Sequence, residues 1–280
     1  MNDLAVNGLF ARLRASMDGW PPQMARVARY VLDQPDTVAH QTITDLAEAS
    51  QTSEATITRL VRSAGFDGFA RFRLAVALEL AHLAQDEPTT SPIRAPINTM
   101  AEMAIAALKE TTSLQADDII ERAADMIERA RRVDVFAVGN STPIAEHMSI
   151  KLLRAGSTVL RYDDAHVSVM GACTLTPSDV AICVSSSGAT LDVIRPAEEA
   201  RKAGASVIVI SNQARSKLSQ LADITLVAAN PEGPLTGGAL PSKIGQMLIV
   251  DALVATLLER YPERLETFER SAEAIIDRTA

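Results

Sequence analysis

The stretch DVAICVSSSGATLDVIRPAEEARKAG, residues 179–204, decides the fold. Its opening, with Val180, Ile182, Cys183 and Val184, is the unbroken apolar run of a strand buried on both faces. Residues 191–204 read as a helix. Between the two stand Ser185, Ser186, Ser187, Gly188, Ala189 and Thr190, a cluster of hydroxyls where a buried strand stops. The serines supply hydroxyl donors, Gly188 permits a tight turn, and Thr190 lies near the start of the helix. The unpaired amides that open a helix carry partial positive charge and suit an anion. The stretch therefore predicts a phosphate-binding turn at the carboxyl end of a buried strand.

A second turn is built the same way. RVDVFAV runs into GNSTPIAEHMSIKLLRAG, placing Gly139, Ser141 and Thr142 between strand and helix. STVLRY, ASVIVIS and DITLVA are further short runs rich in Val and Ile, mostly separated by helical patterns. That alternation predicts a parallel, doubly wound, five-stranded sheet covered by helices on both faces. INTMAEMAIAALKETTS and ADDIIERAADMIERA read as two amphipathic helices before it. Other phosphate motifs are missing: there is no GxxxxGK[ST], and Ala137 stands where a dinucleotide fingerprint has its first glycine. Hydroxyls and amides without an obligatory lysine suit a small phosphoester better than a metal-bound triphosphate.

Upstream, QDEPTTSPIRAPIN, residues 85–98, repeatedly interrupts helix with Pro88, Pro92 and Pro96 and reads as a linker. The expected organisation is thus multidomain: an all-α domain over 1–84, the linker 85–98, and an α/β domain over 99–280. With 280 residues, 47% of them apolar, the chain is long enough for two cores. A net charge of −8 argues against an indiscriminate nucleic-acid coat, so any contact with DNA must be local. Cys173 and Cys183 form no CxxC and read as small buried hydrophobes; no metal and no cofactor is expected. The N-terminus lacks a signal-peptide pattern, and GQMLIVDALVATLL is too short and carries Asp251, so no membrane span is expected and the protein is placed in the cytoplasm.

Before the linker every strong segment has helical spacing. Met24, Val27, Ala28, Val31 and Leu32 mark one helix, which Pro35 helps to stop. TITDLAEASQTSEATITRLVRSAGF then holds two short helical patterns around a tight polar turn. Thr42 caps the first, with Asp45 in its first turn; Ser53 caps the second. Steps of about 100° per residue put Ile57, Leu60, Val61 and Ala64 on one face of the second helix and Ala55, Thr58, Arg59 and Arg62 on the other. This is the layout of a helix-turn-helix, in which the second helix lies in a major groove about 12 Å wide with its N-terminal side chains at base edges. From Ala55 to Arg73, Arg59, Arg62, Arg71 and Arg73 stand against one acid, Asp67. The residues expected at DNA are Ser53, Ala55, Thr56, Thr58, Arg59 and Arg62. Trp20, Phe66, Phe69 and Phe72 read as core anchors.

Two resemblances follow from these motifs. Ser53-Glu54-Ala55-Thr56-Ile57, Arg59, and then Gly65-Phe66 and Gly68-Phe69 resemble the helix-turn-helix of the RpiR family of bacterial sugar-metabolism regulators, over about Pro21 to Leu80. Residues 130–260 resemble the SIS (sugar isomerase) domain, which that family joins to its DNA-binding domain. The Ser-x-Ser-Gly-x-Thr signature stands as Ser185, Ser187, Gly188 and Thr190, and the first-loop Gly-x-Ser as Gly139 and Ser141. The resemblance implies that these residues, with Ser186 among them, hold the phosphate of a phosphosugar effector. Ser242 and Lys243 begin a segment resembling the family's Ser-Arg-hydrophobic-x-Gln helix, with lysine for the usual arginine.

The expectation is a transcription regulator whose binding to a double-stranded DNA operator is modulated by a phosphosugar. A homodimer or higher homo-oligomer is expected because one recognition helix reads few bases. The alternative is a sugar-phosphate isomerase of the SIS fold, which needs a group to move a proton beside the sugar carbonyl. Glu146, His147, Asp164, His166 and Glu232 are the candidates. The Asp-Asp-Ala-His segment at 163–166 stands near where isomerases of this fold tend to carry Glu-Ala-Ser-His, and the basic outer face with Arg59 and Arg62, for which an isomerase has no need, favours the regulator.

Overall fold

The structure, a computed structural model of the chain, describes residues 8–83, 96–116, 118–229, 232–235 and 237–276. It divides into two compact units, Met1–Met100 with Pro231–Ala239, and Ala101–Asn230 with Leu240–Ala280. Most of the expected linker lies outside the described residues, and its last two positions, Ile97 and Asn98, already belong to a helix.

In the first unit helices α1 (Leu9–Ser16), α2 (Pro22–Asp33), α3 (Pro35–His40), α4 (Ile43–Ala49), α5 (Glu54–Ser63) and α6 (Phe69–Leu83) surround one apolar core. Proline at 35 cannot donate a backbone N–H, so α2 stops at Asp33 and Pro35 opens the next helix. The Met24, Val27, Ala28 and Val31 stripe is buried. Phe72 anchors the core edge-on to Phe66, with ring centroids 5.6 Å apart, and Trp20 and Phe69 pack against it half-buried.

Helix α7 (Ile97–Ser113) starts four residues before the second unit, which holds the rest of it and continues with α8 (Ile119–Glu128) and the α/β layer. Its strands are β1 (Arg132–Phe136), β2 (Val159–Arg161), β3 (Asp179–Val184), β4 (Ser206–Ser211) and β5 (Ile224–Val227). They form a five-stranded, all-parallel sheet in the order β2-β1-β3-β4-β5. Helices α9 (Thr142–Arg154), α10 (Ala165–Ala172) and α11 (Leu191–Lys202) connect the strands; α12 (Leu240–Arg260) and α13 (Pro262–Ile276) follow.

The alternation within β3 shows why its sequence is apolar throughout. Val180, Ile182 and Val184 face α8, α9 and α12, while Ala181 and Cys183 face α10 and α11. Every residue of β3 is buried, as a strand covered on both faces requires. The apolar segment ending the sheet, expected to be shorter, extends through a 21-residue helix, α12, long and apolar enough by composition to cross a membrane. Its Ile249, Val250, Leu253, Val254 and Leu257 are spent on the sheet core, which accounts for that composition. Cys183 is buried as expected, but Cys173 is exposed. It follows the last turn of α10 as its C-cap, past the residues that pack on the sheet, so the expectation of burial is corrected.

Candidate functional site

The strand order places the reversal of winding between β1 and β3, the switch point at which open α/β sheets bind ligands. Phe136 pairs with Cys183, so the two hydroxyl-bearing turns leave adjacent strands side by side. After β1, Gly139 takes φ 58 and leads through a single 3-10 turn into α9, with Ser141 7% exposed. After β3, the Ser185 N–H donates to Ile210 O at 3.1 Å, the Gly188 N–H donates to Ser185 O at 3.1 Å, and the hydroxyls of Ser185 and Thr190 lie 3.1 Å apart. Ser187 Oγ accepts from Ala189 N at 3.3 Å. Gly188, also at φ 58, lies so close to Ser216 that a Cβ would stand 2.1 Å from its Oγ.

Helices α9 and α11 open without a side-chain cap, although serines and threonines surround both N-termini. Their neighbour α10 is capped by Asp164, whose Oδ1 accepts from His166 N at 2.8 Å and Val167 N at 3.0 Å. The two uncapped helices therefore turn amide donors and partial positive charge toward the switch point, where an anion satisfies both.

Ser186 ties the serine turn to α12. Its hydroxyl is buried and accepts from Lys243 Nζ at 2.6 Å and from Gln246 Nε2 at 3.2 Å, both on α12. Gln246 also donates to Asn212 Oδ1 at 2.8 Å, and Asn212 N donates to Ser186 O at 3.1 Å. Lys243 thus brings a cation to the serine turn, and Gln246, the glutamine of the Ser-Arg-hydrophobic-x-Gln pattern, fixes the turn together with Asn212, which the sequence did not mark. The same pattern sets Lys243 and Gln246 three residues apart, on one helix face. Ser242 is buried beside them, and its carbonyl accepts from Asn212 Nδ2 at 3.3 Å.

The candidate proton-transfer groups are not gathered in the same way. His147 Nε2 lies 2.9 Å from Asp251, which also pairs with Lys151 at 2.9 Å. Asp164 is engaged as a helix cap; its acceptance from the Val167 amide holds its carboxyl below the usual carboxylate range. Glu146 and His166 are exposed. Glu232 is half-buried and falls in the segment grouped with the first unit. Among the described residues no cluster of three or more His, Cys, Asp or Glu side chains could hold a metal ion.

In the first unit, α4 carries the expected capping box, with Thr42 Oγ1 accepting from Asp45 N and Asp45 Oδ2 accepting from Thr42 N. Ser53 caps α5 through Thr56 N at 3.2 Å. Ser53, Ala55, Thr58, Arg59 and Arg62 are exposed on the outer side of α5. Thr56 is not: it is 1% exposed, and its hydroxyl meets Ser53 Oγ at 3.0 Å and Gln23 Oε1 at 3.4 Å. It shares the inward face with Leu60, one turn on, so its expected place at DNA is corrected to a brace beneath the helix N-terminus.

The positive cluster is also resolved residue by residue. Arg71 pairs with Asp67 at 3.1 Å. Arg73 turns inward to donate to Gln41 O at 3.1 Å, and burial lowers its pKa. Arg59 and Arg62 keep their guanidinium groups outside, with Arg59 Nε donating to Ala55 O at 3.3 Å. Glu54, at the start of α5, accepts instead from Thr44 Oγ1 at 2.6 Å.

Comparison with known proteins matches both units to family models. A helix-turn-helix domain of the rpiR family covers residues 7–83 and a SIS domain covers residues 126–256. The HTH-type transcriptional regulator RpiR of Escherichia coli K12 is 30% identical over 274 residues, which span 96% of this chain and 93% of that protein. The structure of the Vibrio vulnificus NanR protein complexed with ManNAc-6P is 36% identical, covers 97% of this chain and 99% of its own, and superposes with a TM-score of 0.90. The sugar isomerase domain of an RpiR transcription factor from Sphaerobacter thermophilus, at 24% identity and a TM-score of 0.58 over 66% of this chain, shares the fold.

Proposed function

Because this chain belongs to the RpiR family of helix-turn-helix transcriptional regulators, we propose that the turns at the β1–β3 switch point sense a phosphosugar whose binding changes the grip of α5 on an operator. The observation that carries this reading is the presence, in one chain, of an outward basic recognition helix and a hydroxyl-and-amide anion clasp. Gly139, Ser141, Ser185, Ser187, Gly188 and Thr190 bind the phosphate, joined by Lys243, which releases Ser186 to meet the anion. A lysine ammonium is a compact point charge suited to that task. Since the NanR structure contains ManNAc-6P, that compound is the first effector to test.

The mechanism is linkage: a ligand that binds unequally to DNA-competent and DNA-incompetent states shifts occupancy of the operator by its differential affinity. The protein works in the cytoplasm as a homodimer or higher homo-oligomer, so that two recognition helices meet two half-sites. It is not an isomerase on this reading: His147 is held by Asp251 and Asp164 by its own helix, leaving neither poised to move a proton at a sugar carbonyl. A thermal-shift screen of sugar phosphates tests the effector, since a ligand that binds the folded state alone raises its melting temperature. Conversion of any aldose or ketose phosphate by the pure protein would restore the isomerase.

A further inference from the structure

Helix α2 carries exposed arginines outside the helix-turn-helix itself, and one of them reaches it. Gln23, at the start of α2, accepts from Thr56 at the start of α5, so the two helix N-termini lie against each other. One turn on, Arg26 Nη1 donates to Gln51 O at 3.3 Å. Gln51 takes the left-handed φ of 53 in the turn between α4 and α5. The guanidinium of Arg26 is therefore held beside the turn and the leading end of the recognition helix, the part of a helix-turn-helix that enters the groove.

Arg26 is exposed, its bond to a carbonyl uses one of five N–H donors, and among the described residues no carboxylate lies within ion-pairing distance of it, as is also true of Arg59 and Arg62. The nearest acid along its own helix, Asp33, is seven residues away, about 10 Å along the axis. Guanidinium groups thus stand at the turn (Arg26), midway along α5 (Arg59) and in its last turn (Arg62), in a protein of net charge −8. A positive edge flanking a groove-reading helix is complementary to the phosphates that border the groove.

We infer that Arg26 is a DNA-backbone contact: it grips a phosphate at the edge of the groove that α5 reads, fixing the helix in register without reading sequence. This rests on the DNA-binding reading above. It also divides the labour, with Arg59 and Arg62 at base edges and Arg26 at the backbone, so its signature lies in salt dependence rather than in sequence preference.

The test titrates the full-length chain against a fluorescent random-sequence duplex, by anisotropy, at several salt concentrations between about 50 and 200 mM, where each phosphate contact contributes about 0.9 to the slope of log K against log salt. Arg26→Gln removes the charge but keeps an amide to donate to Gln51 O. It is expected to lower the slope by about 0.9 per bound chain, so that its deficit against the parent shrinks about 3.5-fold across that range. Arg26→Lys is expected to keep the parent slope, and both variants the parent melting temperature. A parent slope in Arg26→Gln would overturn the inference, and so would equal losses in both variants with unchanged slope, which mark Arg26 as a brace of the turn. If the parent chain binds no duplex at any salt, the DNA-binding reading itself fails, and that result is distinct from the other two.

Discussion

Replacing Gly188 by alanine tests how tightly the serine turn is built. Gly188 sits at φ 58, where an L side chain costs about 1–2 kcal/mol. The new Cβ would stand 2.1 Å from Ser216 Oγ and 2.5 Å from Ser216 Cβ. Ser216 is 1% exposed and pinned, its N–H donating to Ser219 Oγ at 2.7 Å and its hydroxyl accepting from Ser219 N at 3.1 Å. Forcing a methyl group against it adds about 1–3 kcal/mol, for a total of about 2–5 kcal/mol. In a domain of this size each kcal/mol moves the melting temperature by about 2–4 °C, so scanning calorimetry should record a fall of about 4–20 °C. Gly139→Ala is the control, because Gly139 has the same φ but no atom within 4 Å of an added Cβ. It bears the conformational cost alone, a fall of about 2–8 °C. A Gly188→Ala variant that melts no lower than Gly139→Ala would refute the steric reasoning.

Three other outcomes are expected. The Arg59→Ala, Arg62→Ala double variant should lose its preference for operator over random DNA while keeping the effector-induced thermal shift, because each good base contact discriminates by about 1–3 kcal/mol; unchanged preference removes α5 from base readout. Ser187→Ala should weaken the effector by about 10- to 30-fold, the worth of a hydrogen bond to a charged group at the lower end of the range, with DNA affinity in the absence of effector intact; calorimetric titration showing the parent affinity contradicts the clasp. Burial disfavours the Cys183 thiolate and pushes its pKa up to about 12, so iodoacetamide near pH 8 should label only the exposed Cys173 in the folded chain and both cysteines in denaturant, as read by mass spectrometry.

Much of the architecture was legible because it is written in local pattern. Runs such as VFAV and AICV give strands covered on both faces, and Thr42 and Ser53 are caps whose hydroxyls find the amides that their positions predict. What the sequence hid was tertiary. Ser186 meets Lys243 and Gln246 at separations of 57 and 60 residues, which no periodicity encodes. Arg26 reaches the turn 25 residues on, from outside the Ala55–Arg73 stretch in which the arginines cluster. Thr56 turns inward because it sits at the start of α5 beside buried Ile57, and Arg73 because its guanidinium finds Gln41 O, 32 residues back along the chain.

The coupling of the two activities is tested most directly by one titration. A duplex selected from random-sequence DNA is held half-saturated with the full-length chain, and the phosphosugar giving the largest thermal shift is added while anisotropy is followed. Linkage predicts a change in operator affinity of about 5- to 150-fold at saturation, in either direction, and in Ser187→Ala the half-effect moves to an effector concentration about 10- to 30-fold higher. An unchanged operator affinity with the effector bound would contradict the account, since a ligand that binds both states equally shifts nothing.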